Sequence, residues 1–72
     1  MKLIDVQKCG KYKYVGCLDS DMIQTLFAYG FYEGAEIEVL MQGKFGYVVE
    51  VLGTKFSVNS NLAKIILLKS MV

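Results

Sequence analysis

The sequence contains no histidine, no arginine, no proline and no tryptophan among its 72 residues. Histidine is the commonest general base, so its absence excludes Cys–His and Ser–His nucleophilic arrangements and disfavours an enzyme. The absence of arginine, together with a net charge of only +1, argues against a surface that neutralises nucleic-acid phosphates. We therefore expect neither an enzyme nor a nucleic-acid-binding protein.

Cysteine is also scarce. Cys9 and Cys17 have seven residues between them, and there is no second cysteine pair to complete a disulfide framework or a zinc ligand set. This usage suits a reducing cytoplasm. A two-thiolate site for a soft or borderline metal at Cys9 and Cys17 stays open, against the plainer interpretation that both are small hydrophobic residues. No cofactor is predicted.

Long apolar runs are missing as well. The longest, such as Ile65 to Leu68, are far too short to span a bilayer, and the N-terminus lacks the apolar core of a signal peptide. We therefore expect a cytoplasmic protein that does not insert into the membrane by itself.

What the sequence does have is apolar residues, which make up 54% of the chain. A chain this short has room for one core, so we predict a single domain over residues 1–72. Small domains have a high ratio of surface to volume, and so many apolar residues exceed what one small core can hold. Some apolar surface is therefore expected to stay exposed.

One segment has helical periodicity. The apolar residues at positions i, i+1, i+4 and i+5 are Met22, Ile23, Leu26 and Phe27. Asp19 and Asp21 precede them as capping residues, which predicts a short amphipathic helix from about Asp21 to Tyr29. Gly30 is expected to end this helix, and Gly34 to form a turn, because both positions favour a positive φ.

Strict alternation of apolar and polar residues begins at Ala35, and a glycine-bounded loop at residues 42–46 predicts an antiparallel hairpin. With an earlier strand at Tyr12–Leu18 and later strands near Phe56 and at Ile65–Lys69, the chain has five short strands. We predict a mainly β fold, a small five-stranded closed or half-closed barrel with one short α-helix, since an open sheet would expose two long edges. The residues predicted to fill the barrel are Ile37, Val39, Met41, Tyr47, Val49, Val51, Phe56 and Val58.

The stretch from Leu26 to Leu40 resembles the signature of the ferrous iron transport protein A (FeoA) family. In that family a leucine-rich helix ends in Leu-Gly, a Pro-Gly turn follows, and an alternating strand comes next. The positions that match in kind are Gly30, Gly34, Ile37 and Val39. Later segments similar to the family's strands and closing turn are residues 47–53, 56–58 and 62–66. Tyr29 and Glu33 stand where the family usually has leucine and proline.

This resemblance implies an SH3-like barrel in the bacterial cytoplasm. It also implies an accessory role without enzymatic activity, in which the protein docks on the membrane ferrous iron transporter FeoB or regulates it. A related fold forms the C-terminal domain of iron-dependent repressors. Two alternatives stay open: an SH3-like module that binds peptides, and a metal-sensing module.

Apolar residues on the outer strand faces and in the turns are the candidates for partner docking or self-association. The predicted docking residues are Leu40, Val48, Leu52, Tyr32 and Phe45. The alternative is that the helix and the N-terminal segment cover them. Glu36 and Glu38 share one strand face, and we interpret them as part of a solvated outer surface rather than as a catalytic pair.

Overall fold

Alternating apolar residues and well-placed turns give this chain five strands, which a computed structural model describes over residues 1–71. Val72, the last residue of the predicted domain, lies outside the described residues. Two single 3-10 turns cover Leu3–Asp5 and Ser20–Met22. The strands and helices are β1 (Gly10–Cys17), α1 (Ile23–Ala28), β2 (Glu36–Gln42), β3 (Gly46–Val51), β4 (Thr54–Asn59), α2 (Ser60–Ala63) and β5 (Ile66–Ser70).

All neighbouring strands pair antiparallel, in the order β4-β3-β2-β1-β5. The predicted mainly β fold is confirmed, but the sheet is open because β4 and β5 are not paired with each other. The outer edge of β5 is instead covered by the N-terminus. The Met1 amino group donates to the Leu68 carbonyl at 2.8 Å, and the Leu68 amide donates to the Met1 carbonyl at 2.6 Å.

The predicted helix is present in a shorter form. Asp19 caps the turn Ser20–Met22 by accepting a hydrogen bond from the Asp21 amide at 3.0 Å, and α1 follows. Gly30 and Gly34 have the predicted positive φ angles, +102° and +90°. The turn at Gly34 is closed by the amide of Ala35, which donates to the carbonyl of Tyr32 at 2.9 Å. No helix within residues 1–71 is long and apolar enough to cross a membrane.

The core lies on the inner face of the sheet, and six of the eight predicted interior residues are buried there. These are Ile37, Val39, Tyr47, Val49, Val51 and Val58. Phe56 is half-buried against this core. The prediction was wrong for Met41, whose side chain is 61% exposed. A β-bulge between Val39 and Met41 shifts the register, so Met41 lies opposite Val48 and strict alternation fails there.

Candidate docking surfaces

The β2–β3 hairpin carries Phe45, whose side chain is 79% exposed. Phe45 lines a shallow groove with Met41, Lys44 and Val48, which we call the hairpin groove. Val48, like Leu40 on the preceding strand, is half-buried. The Lys44 Nζ atom lies 5.7 Å from the centroid of the Phe45 ring. The hairpin groove therefore combines an exposed aromatic ring with a positive charge.

Tyr32 and Leu52, the other two exposed docking candidates, lie together in a different place. They line a depression with Glu36, Glu38 and Glu50, which we call the acidic pocket. Glu38 is directly opposite Glu50 in the β2–β3 register. On their other sides, Glu38 lies opposite Lys11 and Glu50 lies opposite Lys55, and these opposite-charge pairs offset the repulsion between the two glutamates. The sequence-predicted docking residues thus fall into two separate groups rather than one patch.

A third surface was not predicted from the sequence and is the richest in exposed apolar side chains. It is a groove of about 200 Å³ between α1 and the end of β1. We call it the helix groove; its walls include Val15, Cys17, Ile23, Phe27, Tyr32 and Glu33. Phe27 is 64% exposed, and its ring contacts that of Tyr32 edge-on with centroids 6.3 Å apart. This aromatic pair forms one wall of the groove.

The sequence contained a signal for the helix groove. The apolar residues of this segment form two i, i+4 pairs, Met22 with Leu26 and Ile23 with Phe27, which lie about 100° apart around the helix axis. Leu26 is buried, whereas Ile23 and Phe27 remain exposed. No charged residue occurs between Asp21 and Glu33. The width of the stripe and the lack of charge together indicate an exposed apolar helix face.

The floor of the helix groove is formed by two buried aromatic residues. Tyr14 and Phe31 line it, and their rings pack edge-on with centroids 5.7 Å apart. Burial raises the pKa of the Tyr14 hydroxyl, and the nearby Cys17 thiol adds to this rise. Tyr14 is therefore neutral at physiological pH, and it adds no charge to the groove.

Charge is unevenly distributed along the chain. Residues 14–43 contain five of the seven acidic residues and none of the eight lysines. This segment includes α1, β2 and every wall residue of the helix groove. In the folded sheet, however, lysines lie next to this segment, because Lys13 is opposite both Glu36 and Lys69.

Comparison with known proteins identifies the family. The model of the FeoA domain matches residues 1–70. The chain belongs to the FeoA family. This membership gives it a role in ferrous iron uptake and places it in a small accessory, non-catalytic family. A search of the curated proteins finds no match to the chain.

Solved FeoA structures share the fold over almost the whole chain. A crystal structure of FeoA described as an iron uptake regulatory protein has 25% identity and a TM-score of 0.82, covering 96% of this chain and 95% of that one. The solution structure of FeoA from Chlorobium tepidum has 19% identity and a TM-score of 0.85, covering 100% of this chain and 71% of that one. The FeoA-like protein from Clostridium acetobutylicum has 21% identity and a TM-score of 0.83, covering 100% and 87%.

The two cysteines of this FeoA domain lie at opposite ends of β1. Cys9 is exposed just before the strand, and Cys17 is its half-buried last residue. Eight residue steps at about 3.3 Å each separate the two cysteines by roughly 25 Å along the strand. The structure therefore does not bring Cys9 and Cys17 together as ligands of one ion. Within residues 1–71 no three His, Cys, Asp or Glu side chains are grouped to hold a metal.

Proposed function

We propose that the protein is a cytoplasmic accessory factor of ferrous iron uptake, which docks on the cytosolic part of the membrane transporter FeoB through the helix groove. The family supplies the iron-uptake role. The observation that carries the docking proposal is the exposed apolar wall of the groove, formed by Val15, Ile23, Phe27 and Tyr32. Contiguous exposed apolar surface on a small soluble domain marks an interaction site.

The geometry of Phe27 favours it as the main anchor. Its ring is largely exposed, yet it is fixed by the edge contact with Tyr32, so little side-chain freedom is lost when a partner covers it. Burying a phenylalanine side chain completely is worth about 1.5–3 kcal/mol. Exposed aromatic anchors of this kind commonly dominate binding energy.

The test is the affinity of the full chain for purified FeoB in detergent, measured by isothermal titration calorimetry. We expect Phe27→Ser to raise the Kd at least about tenfold, the equivalent of about 1.4 kcal/mol. The matched control is Phe45→Ser, which removes an even more exposed ring from the hairpin groove. This variant is expected to change the Kd less than about twofold.

Failure of the unmodified chain to bind FeoB would reject the proposed function. A loss of affinity confined to Phe45→Ser would instead move the docking site to the hairpin groove. Because Phe27 and Phe45 are both exposed, neither change is expected to unfold the protein. The amide NMR spectrum of each variant checks this.

The metal-sensing alternative has less support, because Cys9 and Cys17 lie at opposite ends of β1. Of the docking residues predicted from the sequence, Tyr32 lines the helix groove. Its side chain also lines the acidic pocket, together with Leu52.

A further inference from the structure

We infer that the free edge of β4 binds an extended segment of a partner protein, which adds a sixth strand to the sheet and places alternate apolar side chains in a groove beside α1. This site uses a different face of α1 from the helix groove, and it does not depend on FeoB as the partner. Three features point to it: unpaired backbone groups, an uncharged apolar groove, and the way in which the fold covers its other sheet edge.

The outward backbone groups of β4 are unpaired. The two-residue turn before β4 makes Val51 and Thr54 a hydrogen-bonded pair, so alternate residues of β4 bond to β3. Lys55 and Ser57, which lie between them, therefore direct their backbone N–H and C=O groups away from the sheet. Both residues are exposed, and these groups form no hydrogen bond within residues 1–71. Such an edge is a template for a further strand.

β4 has little of what usually protects a sheet edge from pairing. Its register with β3 continues over six residue pairs without a bulge, and the chain contains no proline. The one charged residue of β4, Lys55, lies opposite Glu50, which offsets its charge. The edge is therefore regular enough to pair with another strand.

The other edge of the sheet shows how this fold covers a strand. The N-terminal segment lies along β5, where Lys2 forms an antiparallel bridge with Leu67 and Met1 exchanges hydrogen bonds with Leu68. The next side chain, Leu3, is buried in the core. An extended segment thus satisfies the backbone of one edge and buries an apolar residue beside it. No segment within residues 1–71 does the same for β4.

An apolar groove of about 270 Å³ lies between α1 and β4, and we call it the edge groove. None of its lining residues is charged. Its walls include Met22, Leu26 and Tyr29 on the helix side, and Phe56, Val58 and Leu62 on the side of β4 and α2. The Tyr29 ring is 53% exposed and packs edge-on against that of Phe56, with centroids 5.3 Å apart. The edge groove therefore suits uncharged apolar side chains next to the free backbone of β4.

The register of an added strand determines which of its side chains enter the edge groove. In an antiparallel strand, the residue opposite Ser57 exchanges hydrogen bonds with it and points to the outer face, as Ser57 does. The residues opposite Phe56 and Val58 point to the inner face and into the edge groove. The segment that fits therefore has apolar residues at alternate positions, with polar residues between them.

Other occupants satisfy only part of the site. A second copy offers its own β4 as the free edge within residues 1–71, but its Phe56 and Val58 already pack on its own core. It therefore has no apolar side chain to place in the edge groove. A helical segment bonds its backbone groups internally, and lipid tails have none, so neither pairs with Lys55 and Ser57. An extended segment of a partner protein satisfies the edge and the groove together.

The first experiment tests the side-chain pattern with synthetic peptides and the full chain. One peptide of about seven residues alternates valine and threonine between terminal lysines, and the reference peptide has the same residues with its valines adjacent. Binding is followed by amide NMR shifts. We expect the alternating peptide to bind at least about tenfold more tightly, with shifts centred on Lys55, Ser57 and Tyr29. Equal affinities, or shifts centred on Phe27 or Phe45, would overturn the inference.

The second experiment tests the backbone pairing without changing the protein. N-methylation of the threonine amides removes the donors that face β4 in an antiparallel strand, whereas N-methylation of the valine amides removes donors that face away. We expect the first modification to weaken binding at least about tenfold and the second less than about twofold. The reverse result supports edge pairing by a strand parallel to β4. Equal effects of the two modifications would exclude pairing with the edge.

Variants of the protein assign the binding to the edge groove. Ser57→Pro removes the outward N–H and keeps the bonds to β3, and proline is tolerated at such edge positions. We expect it to weaken the alternating peptide at least about tenfold, and its matched control Ser57→Ala to leave the affinity unchanged. Tyr29→Ser is expected to weaken binding about three- to tenfold, whereas Phe27→Ser should leave it unchanged. The amide NMR spectrum of each variant checks the fold, and full affinity in Ser57→Pro would contradict the inference.

A further contrary result is self-association of the free chain that sedimentation shows to depend on concentration and that Ser57→Pro abolishes. The edge would then belong to a second copy. The inference and the proposed function fail separately. Peptide binding without FeoB binding rejects only the proposed function, and FeoB binding that depends on Phe27, without any preference between the two peptides, rejects only the inference.

Discussion

The hairpin groove and the helix groove both present an exposed phenylalanine, but they differ in charge and in construction. Lys44 lies over Phe45 in the hairpin groove, whereas Glu33 is the charged residue that lines the helix groove with Phe27. Exposure alone therefore does not select a docking surface. The sign of the surrounding charge restricts which partner segment each groove accepts.

The walls of the two grooves also respond differently to substitution. The hairpin groove is built on paired strands, with Gly46 opposite Asn59 and Met41 opposite Val48. Its shape follows from backbone packing. The helix groove is lined by side chains such as Phe27, which project from a helix of six residues. We expect changes in the hairpin groove to alter stability, and changes in the helix-groove wall to alter binding.

The largest stability effect is expected for Gly46→Ala in the hairpin groove. A Cβ atom at Gly46 would collide with the carbonyl oxygen of Val58, which is backbone and cannot rotate away. The strands must then separate, and we expect the free energy of unfolding to fall by about 2–3 kcal/mol. Chemical denaturation followed by circular dichroism measures it.

Gly43→Ala is the matched control in the same loop. A Cβ at Gly43 would lie 3.5 Å from the Gly46 carbonyl oxygen, an ordinary contact. We expect a change within about 0.5 kcal/mol. If both variants lose a similar amount of stability, the predicted clash at Gly46 is not what destabilises the protein.

An intermediate effect on the free energy of unfolding is expected from removing the hydroxyl groups of two tyrosines, one lining each groove. In the hairpin groove the Tyr47 hydroxyl donates to the Ile4 carbonyl at 3.0 Å and ties the hairpin to the N-terminal turn. In the helix groove the Tyr14 hydroxyl has no hydrogen-bond partner within the described residues. We expect Tyr47→Phe to lower the free energy of unfolding by about 1 kcal/mol and Tyr14→Phe to leave it nearly unchanged at neutral pH. Thermal unfolding of the two variants compares them, and a larger loss for Tyr14→Phe would be the contrary result.

The order and type of the strands were predictable because alternation, the residue 42–46 loop and Gly34 are local signals. Met41 was misplaced because a β-bulge is decided by the fit between two strands, which one strand's alternation does not reveal. The edge of β5 that a closed barrel would pair with β4 is instead paired with the N-terminus, since Met1 bonds to Leu68 from the far end of the chain. Local patterns do not contain such a long-range pairing.

The exposure of the candidate docking residues was predictable only in part. Tyr32 and Phe45 are exposed, as predicted for turn residues. Leu52 was predicted on an outer strand face and is exposed in a turn instead, whereas Leu40 and Val48 are half-buried. Phe27 was predicted as one of the apolar residues of a short amphipathic helix, and its exposure was not predicted. It is exposed because the core contacts the face of α1 that carries Leu26, and Phe27 lies about 100° away around the helix axis.

The smallest expected effect concerns Leu52, at the end of the acidic pocket. Leu52 and Gly53 form the two-residue turn between Val51 and Thr54, and both have positive φ, +51° and +81°. Leucine is unfavourable in this left-handed conformation by about 1–2 kcal/mol, and asparagine is preferred at the first position of such turns. Leu52 is nevertheless 73% exposed, so no core contact explains its presence.

We therefore expect Leu52→Asn to raise the free energy of unfolding by about 0.5–1 kcal/mol, measured by chemical denaturation. Leu18→Asn, an exposed leucine with ordinary backbone angles, is the control and should change stability little. If Leu52 also contacts the partner, the same variant binds FeoB more weakly while it is more stable. A residue that opposes folding and favours binding is retained for the second reason, and stability that rises without any loss of affinity would remove Leu52 from the docking surface.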